Sequence, residues 1–406
     1  MSHPPYIIEP YTHEDDAGLA VMWNESDQQW PGGFTRGVPF TTERVADWMD
    51  KQTTLVRLVV RTQDGAVVGY GSLWDEPSQP GRSCYVDLLN VHPEHQGRSL
   101  ARLMLAQMVD YATDHGYTRM TIGTWSANLK AVPLYKKVGF YWKPNTSVYM
   151  ENYIPALRQL PILRDFFAQG DWYALHTREL EQSEDNQRHP KTGETEVYIS
   201  HWTQPSGAAV EAVIDRKAQT LTGLETDDFA VYAQVGASQP VQGLPYPITW
   251  EITNKRNIPI TVQLEAAGDE YVEIAYHQTF ILEPEETETI KATFRCTANA
   301  PKLDVPIWRP KPTPQIRTKL QLDGQELLLG CGVQYEPAVD ISLHPGTPTL
   351  TPGLTKCILV QVKNHLNGLL EGTLRLVDAA GATRVAQEQP IVAEAQGFAS
   401  ATLELG

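Results

Sequence analysis

A short turn that contains glycine connects an apolar stretch to a helical pattern near residue 100. Residues 84–91 predict a strand, and the apolar positions of residues 102–111 recur at a helical period. The first turn of a helix has spare backbone N–H groups and the positive end of the helix dipole, which together favour an anion. Gly97 leaves room for the anion to approach the backbone, and Arg98 adds a positive charge. The turn therefore predicts a phosphate site, and a pyrophosphate would fit it.

A second helical pattern begins about 30 residues later and carries a tyrosine. Asn128 is a favourable N-cap residue, and Gly139 is a favourable residue just past a helix C-terminus. Tyr135 lies on the apolar stripe between them, so it either faces a cleft or is a half-buried core aromatic. Pro133 is unfavourable past the first turn of a helix. The helix therefore either starts later, with Pro133 near its first position, or is kinked.

The strand that leads into the turn carries a carboxylate. Strict alternation would place on one face of this strand Tyr85, Asp87, Leu89 and Val91, with Asn90 on the other face. Asp87 is the best candidate for a general base, because apolar neighbours can raise the pKa of a carboxyl group by excluding water. An equally open alternative is that Asp87 pairs with Arg82, Arg119 or a backbone amide. The backbone N–H groups near Leu89–Val91 could bind an oxygen on which negative charge develops.

Together, the two segments resemble the cofactor motifs of the GNAT N-acetyltransferase superfamily. The superfamily's turn has Gln or Arg, two residues, Gly, one residue, and then Gly or Ala. Here Gln96, Ser99 and Ala101 stand at those places, so Ser99 replaces the usual glycine. The resemblance implies that acetyl-CoA is the co-substrate and that it contacts Leu89, Asn90, Val91, Gln96, Gly97, Arg98, Ser99, Leu100, Ala101, Asn128 and Ala131. It also implies that Tyr135 protonates the departing coenzyme A thiolate, while Asp87 or a water molecule deprotonates the amine.

Aromatic residues cluster around residues 31–33, where proteins of this superfamily usually build the wall on the acceptor side. The cluster consists of Trp23, Trp30, Phe34, Phe40 and Trp48. It could shape a substrate pocket or cap a small core, and the sequence does not separate the two. The predicted substrate-binding residues are Trp30, Phe34, Tyr85 and Trp125. His92 and His95 have no third ligand nearby in sequence, so no metal site is expected.

The chain is predicted to be multidomain. The predicted parts are an α/β domain at 1–155, a helical segment and linker at 156–195, a β-rich region with a first β-sandwich at 196–336, and a second, shorter β-sandwich at 337–406. The order of elements in 1–155 fits the GNAT superfamily. In the second part we expect helices at 163–167 and 172–180, followed by a polar, mobile linker at 181–195.

A repeat predicts the architecture of the second half. Residues 229–264 contain three apolar strand patterns, and 338–377 repeat them at similar spacing, each with an asparagine at the end of the middle pattern. Such strands resemble immunoglobulin-type β-sandwich modules, here two in tandem. The first copy continues into a hairpin at 316–335, whereas the second stops before one. The last module is therefore smaller, or its open edge is covered by other residues or a second chain, or the sequence is cut short.

Composition limits the classes of partner. The formal net charge of −16 argues against nucleic acid and anionic membranes as main partners and suits a cationic acceptor. The four cysteines, Cys84, Cys296, Cys331 and Cys357, are far apart in sequence, which fits a reducing cytoplasm. The first ten residues do not resemble a secretion signal, and no run of 18 apolar residues indicates a membrane span.

The leading hypothesis is a cytoplasmic enzyme that transfers an acetyl group from acetyl-CoA to a primary amine in a direct ternary complex. The amine would belong to a small molecule, a protein lysine or a protein N-terminus. The β-sandwich half would position a large acceptor, form a homodimer or bind a protein partner. The alternative is a catalytically degenerate acyl-CoA sensor or adaptor whose β-sandwich half binds a protein or carbohydrate. Ser99 and the lack of an unambiguous base motivate this alternative.

Overall fold

An α/β part is followed by a larger part made of strands in the computed structural model of the chain. The structure describes residues 6–77, 81–125, 128, 130–178, 180–188, 196–236, 239–297, 312–344, 356–375 and 388–405.

A seven-stranded sheet forms the centre of the α/β part, with the strand order β1-β2-β3-β4-β5-β7-β6. Its strands are β1 (Tyr6–Pro10), β2 (Val56–Thr62), β3 (Val67–Asp75), β4 (Ser83–Val91), β5 (Arg119–Thr124), β6 (Tyr141–Trp142) and β7 (Val148–Asn152). The helices beside it are α1 (Asp16–Glu25), α2 (Thr42–Asp50), α3 (Leu100–Asp114), α4 (Ala131–Lys137) and α5 (Ile154–Gln159). Residues of α1 and α2 pack on one face of the sheet, and residues of α3 and α5 pack on the other.

Local signals account for several of these boundaries. The side chain of Thr41 accepts a hydrogen bond from the Arg44 N–H (3.2 Å), so it caps the N-terminus of α2. The turn between β2 and β3 contains Asp64 and Gly65, and Gly65 has a φ of +89°, a conformation that glycine adopts without strain. β2 and β3 pair antiparallel across this turn and form a hairpin.

A β-bulge in β4 overturns the predicted alternation along that strand. Leu73 of β3 pairs with Val86, and Ser72 pairs with Leu88, so Asp87 is an extra residue without a partner position in the ladder. One extra residue exchanges the faces of all residues after it. Val86 and Leu89 therefore contact the core beneath α3, while Leu88 belongs to the core beneath α1 and α2. The expectation that Tyr85, Asp87, Leu89 and Val91 share one face was wrong for this reason.

β4 and β5 are parallel neighbours that separate after a short ladder. The ladder between β4 and β5 runs from the Ser83–Arg119 pair to the Val86–Ile122 pair. Beyond it, β4 continues to Val91 and β5 to Thr124 without further pairing between them. A cleft therefore opens between the carboxyl ends of two adjacent parallel strands, which is where open α/β sheets commonly bind ligands.

The segment after α5 packs against the α/β part. It forms α6 (Arg164–Ala168), α7 (Trp172–Leu175) and the short strand β8 (His176–Thr177). The helix predicted at 172–180 therefore ends at Leu175, where the chain becomes extended. Asp185, placed by the sequence in a mobile linker, is buried and pairs with Lys136 (Nζ to Oδ1, 2.9 Å). Residues 189–195 of that predicted linker lie outside the described part of the chain.

One hydrophobic core runs from the α/β part into the first strands of the second half. It includes Leu157 of α5 and Trp172 of α7 and continues to Tyr198 and Trp202. At the same junction the buried Arg119 guanidinium lies 3.5 Å from the Glu151 carboxylate. The boundary that the sequence suggests at residue 155 falls inside α5.

The second half consists of strands in four sheets. The strands are β9 (Val197–Thr203), β10 (Ala209–Asp215), β11 (Thr220–Glu225), β12 (Phe229–Val235), β13 (Pro245–Asn254), β14 (Ile260–Gly268), β15 (Val272–Glu273), β16 (Ala275–Leu282), β17 (Thr287–Cys296), β18 (Gln315–Leu322), β19 (Gln325–Gly332), β20 (Val339–His344), β21 (Lys356–Asn364), β22 (Leu370–Leu374), β23 (Gln389–Ala393) and β24 (Phe398–Leu405). The sheet orders are β15-β17-β13-β12-β11-β10-β9-β8, β16-β14-β18-β19, β20-β21-β24 and β22-β23.

The predicted repeat is present in the pairing of these strands. β12, β13 and β17 are adjacent in one sheet, as are β20, β21 and β24 in another, and β14 pairs with β16 as β22 pairs with β23. The first copy adds the predicted hairpin, β18 and β19, next to β14. Among the described strands, β22 pairs with β23 alone. The likeness of each copy to an immunoglobulin module stays a prediction.

A buried asparagine occupies the same place in both copies. The side-chain amide of Asn254 donates to the carbonyl oxygens of Ile258, Leu282 and Glu283, and that of Asn364 donates to those of Gly368, Ala393 and Glu394. Each side-chain oxygen accepts the N–H of the residue two positions later. Because both asparagines are 0% exposed, these backbone groups depend on them for partners.

None of the described helices is long and apolar enough to cross a membrane. The four cysteines form no disulfide, and three of them are buried while Cys357 is exposed.

Replacing either buried asparagine should destabilise the chain. Asn254→Ala and Asn364→Ala leave several buried backbone groups without partners, so each should lower the free energy of unfolding by about 1–3 kcal/mol. Calorimetric unfolding of the full chain measures this. Asn257→Ala, at an exposed position of the same turn as Asn254, is the matched control. Equal stability of all three variants and the wild type would contradict the assigned role.

Candidate active site

A cavity of about 1200 Å³ occupies the cleft where β4 and β5 separate. Its walls come from the end of β4, the turn at 96–101, the start of α3, the end of β5, and α4. Its size is above the range of ordinary small-molecule pockets, so it has room for a long cofactor and a second substrate together.

Most of the site residues that the sequence predicts line this cavity. Those that line it are Trp30, Asp87, Leu89, Asn90, Val91, Gln96, Gly97, Ser99, Leu100, Ala101, Trp125, Asn128, Ala131 and Tyr135. They come from two segments separated by about 30 residues in sequence, together with Trp30 from the loop after α1.

Three predicted site residues do not line the cavity. The Arg98 guanidinium lies over the Tyr6 ring (5.8 Å from its centroid), so it does not supply the expected charge inside the cavity. Tyr85 precedes the bulge, and its hydroxyl lies beside Gly123. Phe34 stacks on Phe40, with ring centroids 5.4 Å apart.

The aromatic cluster serves both of the roles that the sequence left open. Trp23 is fully buried and contacts the rings of Phe40 and Trp48, so this part of the cluster is core. Trp30 lies at the edge of the cluster and lines the cavity, where its ring centroid is 6.1 Å from that of Trp125. Two tryptophans therefore form an aromatic wall on one side of the cleft.

The turn at 96–101 has the backbone conformation that the family's glycines suggest. Gly97 has a φ of +76°, and Ser99 has a φ of +62° in the left-handed region. The left-handed conformation costs a serine about 1–2 kcal/mol of conformational free energy, and glycine adopts it without this cost. A Cβ built on Gly97 would meet no atom within 4 Å, so its open side faces free space. Ser99 is the N-cap of α3, and Leu100 and Ala101, which begin that helix, line the cavity. The N–H groups of a helix's first turn have no partner within the helix.

Gln96 fixes this turn to the strand before it. Its side-chain amide donates to the Val91 carbonyl (3.1 Å) and to the Gln29 side-chain oxygen (2.7 Å). The turn, the end of β4 and the loop after α1 are therefore tied together at the mouth of the cleft.

Backbone N–H groups of β4 point into the cleft. The His92 N–H donates to the Val68 carbonyl of the neighbouring strand (2.9 Å). Because successive residues of a strand point their N–H groups to opposite edges, those of Leu89 and Val91 face away from β3 and toward β5. The Val91 carbonyl points the same way, since it accepts the Gln96 side chain.

Tyr135 reaches the cavity from α4 and is 7% exposed. This helix begins at Ala131, so Pro133 lies in its first turn and the helix starts later than Asn128, which was one of the two alternatives. Burial raises the pKa of Tyr135, and the nearby Tyr85 raises it further. The phenol therefore remains protonated at neutral pH and can donate a proton.

Asn128 and Asn90 present amide groups to the cavity. The Asn128 side chain donates to the Thr124 hydroxyl (2.9 Å), and the Asn128 backbone carbonyl accepts the Ala131 N–H (3.1 Å), so this residue links β5 to α4. Asn90 is 6% exposed, and its side-chain oxygen has no hydrogen-bond partner within the described part of the protein. A buried acceptor of this kind favours a ligand N–H group.

Asp87 lines the cavity at the bulge and is exposed. The apolar burial that the sequence suggested for it is therefore not present. Its charge contributes to raising the pKa of Tyr70 to about 12, although burial of Tyr70 is the main cause. Of the partners considered for Asp87, Arg119 pairs with Glu151, and the Arg82 guanidinium lies over the Tyr117 ring.

The two histidines near the turn contact protein groups. His92 lies 2.9 Å from the Glu25 carboxylate, and His95 lies 3.0 Å from the Tyr6 hydroxyl. Across the described ranges, no group of three or more His, Cys, Asp or Glu side chains could hold a metal ion.

Sequence reasoning missed several residues of the cavity wall. Among them are Arg102, Lys130, Lys137, Tyr173, Arg178 and Leu180. Arg102 follows Ser99 by three residues, one turn of α3, so its place beside the turn could have been predicted. Tyr173 and Arg178 lie beyond the predicted α/β domain. No local sequence pattern indicates that their side chains line the cleft of that domain.

Comparisons with known proteins agree with this geometry. The model of the family described as "Acetyltransferase (GNAT) family" matches residues 19–140. The L-amino acid N-acyltransferase MnaT of Escherichia coli is 34% identical over 128 residues, which cover 31% of this chain and 74% of the relative. The L-methionine sulfoximine/L-methionine sulfone acetyltransferase of Salmonella typhimurium is 33% identical over 135 residues, which cover 33% of this chain and 72% of that protein.

Both relatives are matched over more than two thirds of their length by the part of this chain that holds the cavity. The chain therefore belongs to the acetyltransferase (GNAT) family, and it is an acyltransferase.

Proposed function

We propose that the chain transfers an acetyl group from acetyl-CoA to a primary amine by direct attack within a ternary complex. The observation that carries the proposal is the cavity of about 1200 Å³, which is lined by the turn at 96–101, the end of β4, Tyr135 and Asp87. Each of these groups matches one requirement of amide formation from a thioester.

The cofactor would lie along β4 from the turn to the bulge. Its pyrophosphate binds the N–H groups at 97–101, where the start of α3 favours negative charge. Its pantetheine chain follows the strand into the cleft, and the Asn90 side-chain oxygen accepts an amide N–H from it. The thioester oxygen binds the N–H groups of Leu89 and Val91, which stabilise the negative charge that develops on it.

The acceptor ammonium group loses a proton to Asp87, and the neutral amine then attacks the thioester carbon. A C–N bond forms, the C–S bond breaks, and the electron pair of that bond leaves with the sulfur. Tyr135 donates its proton to the thiolate, and the second proton that the new amide nitrogen must lose returns through solvent to the Tyr135 phenolate. An exposed carboxylate such as Asp87 also releases the accepted proton to water readily.

The acceptor would be a small primary amine bound beside Trp30 and Trp125. The names of the two relatives specify L-amino acids and L-methionine derivatives as their substrates, so the α-amino group of an amino acid is the first class to test. The net charge of −16 adds a general attraction for cationic amines.

The second half is proposed to be two immunoglobulin-like modules that follow the α/β domain and a helical segment. Their repeated strand pairing supports this reading. Such modules would present a surface for a protein partner or a second copy of the chain. We propose a cytoplasmic location, which the wide separation of the four cysteines in sequence supports.

Tyr135→Phe should lower kcat by about 100-fold or more with an amino-acid acceptor, because it removes the proton donor for the thiolate. KM for acetyl-CoA should change little. The measurement is steady-state acetyl transfer from acetyl-CoA. Tyr149→Phe, which removes another buried hydroxyl from the same sheet, is the control. An unchanged kcat for Tyr135→Phe would remove that residue from the mechanism.

Asp87→Asn should also lower kcat by about 100-fold or more, because the amide cannot accept the proton of the amine. Steady-state acetyl transfer from acetyl-CoA at saturating acceptor measures this. Asp114→Asn, at the far end of α3, is the control. A variant with the rate of the wild type would show that water alone is the base.

A further inference from the structure

Residues beyond the α/β part form one wall of the cavity. Tyr173 of α7, Arg178 and Leu180 line the same space as Gly97 and Ser99. The segment is held there by Trp172, which is buried, and by its indole N–H, which donates to the Asp110 carboxylate of α3 (3.0 Å). The wall is therefore anchored to the helix whose start forms the proposed pyrophosphate site.

Two guanidinium groups converge on one aromatic ring in this wall. The guanidinium carbon of Arg102 lies 4.6 Å from the Tyr173 ring centroid, and that of Arg178 lies 4.1 Å from it. Both arginines also line the cavity. Contact with the face of Tyr173 orients each of them by a cation–π interaction.

The position of Arg178 is fixed by backbone groups. Its guanidinium donates to the carbonyl oxygen of His176 (2.8 Å) and to that of Tyr173. Its Nε is buried and has no hydrogen-bond partner among the residues that the structure describes. The side chain is thus placed by the fold before any ligand binds.

The charges of the two arginines are not neutralised by ion pairs in the described residues. The Asp171 carboxylate interacts electrostatically with Arg178. Asp171 is also the N-cap of α7, where its side chain accepts the Tyr173 N–H (2.9 Å). Burial lowers the pKa of Arg178, and the charge of Arg102 lowers it further. Two like charges held together at a partly buried wall repel each other, and a bound anion would relieve that cost.

We infer that Arg102 and Arg178 bind the 3′-phosphate of the coenzyme A portion of acetyl-CoA. The inference rests on the proposed function and adds to it a second anion site, built in part by a segment outside the α/β domain. The pyrophosphate is already accounted for by the N–H groups of the turn, and Arg102 lies one helical turn beyond it. A phosphate monoester carries up to two negative charges and accepts paired hydrogen bonds from guanidinium groups.

Calorimetric titration of the full chain with coenzyme A and with 3′-dephospho-coenzyme A tests the inference. The wild type should bind coenzyme A at least about tenfold more tightly. Arg178→Ala should weaken binding of coenzyme A while leaving that of the dephospho form unchanged, so the ratio of the two Kd values falls toward one. Arg102→Ala should act in the same way, and it breaks none of the backbone contacts of Arg178.

Arg164→Ala removes an equal charge from the exposed face of α6 in the same segment and should preserve the wild-type ratio. Equal weakening of both ligands by Arg178→Ala and by Arg102→Ala would overturn the inference, since the arginines would then not recognise the 3′-phosphate. A wild-type ratio near one would overturn it as well. Failure of the wild type to bind either ligand would be a different result, because it would overturn the proposed function together with this inference.

Discussion

The separation of β4 from β5 after the Val86–Ile122 pair is the constraint on which the site depends. Two parallel strands that stayed paired would consume the N–H groups of Leu89 and Val91 and would leave no cleft. The bulge at Asp87 occurs at the point of separation, so it turns β4 and also places a carboxylate in the opening. The turn at 96–101 and α4 then approach the same opening from opposite sides.

The segment after α5 and the first strands of the second half share a hydrophobic core with the α/β part. A continuous core passes from Leu157 through Trp172 to Trp202, and Asp185 bonds to Lys136 on the helix that carries Tyr135. These contacts fix the position of the segment that closes one side of the cavity. The cavity that holds most of the candidate site residues of the α/β part is therefore also lined by Tyr173 and Arg178.

The sequence predicts the parts of this site that depend on local pattern. The turn, α3 and Tyr135 follow from spacing, because a helix and its first turn are specified by neighbouring residues. The bulge at Asp87 was not predicted, since an extra residue in a strand leaves no mark in a single sequence. Arg178 was missed because it reaches the site through tertiary packing. The same reason limits the second half, where strands and their repeat were predicted and the likeness to immunoglobulin modules stays a prediction.

The most direct test of the account is calorimetric titration of acetyl-CoA into the full chain and into Gly97→Glu. Gly97 has a φ of +76° and open space beside it, so a glutamate there would present a negative charge and a strained backbone to the phosphates. The control is Gly65→Glu, because Gly65 has a similar positive φ and open space beside it but lies in a distant hairpin. The account predicts micromolar binding to the wild type and to Gly65→Glu that is lost in Gly97→Glu. Binding of equal strength to all three, or no binding to the wild type, would contradict it.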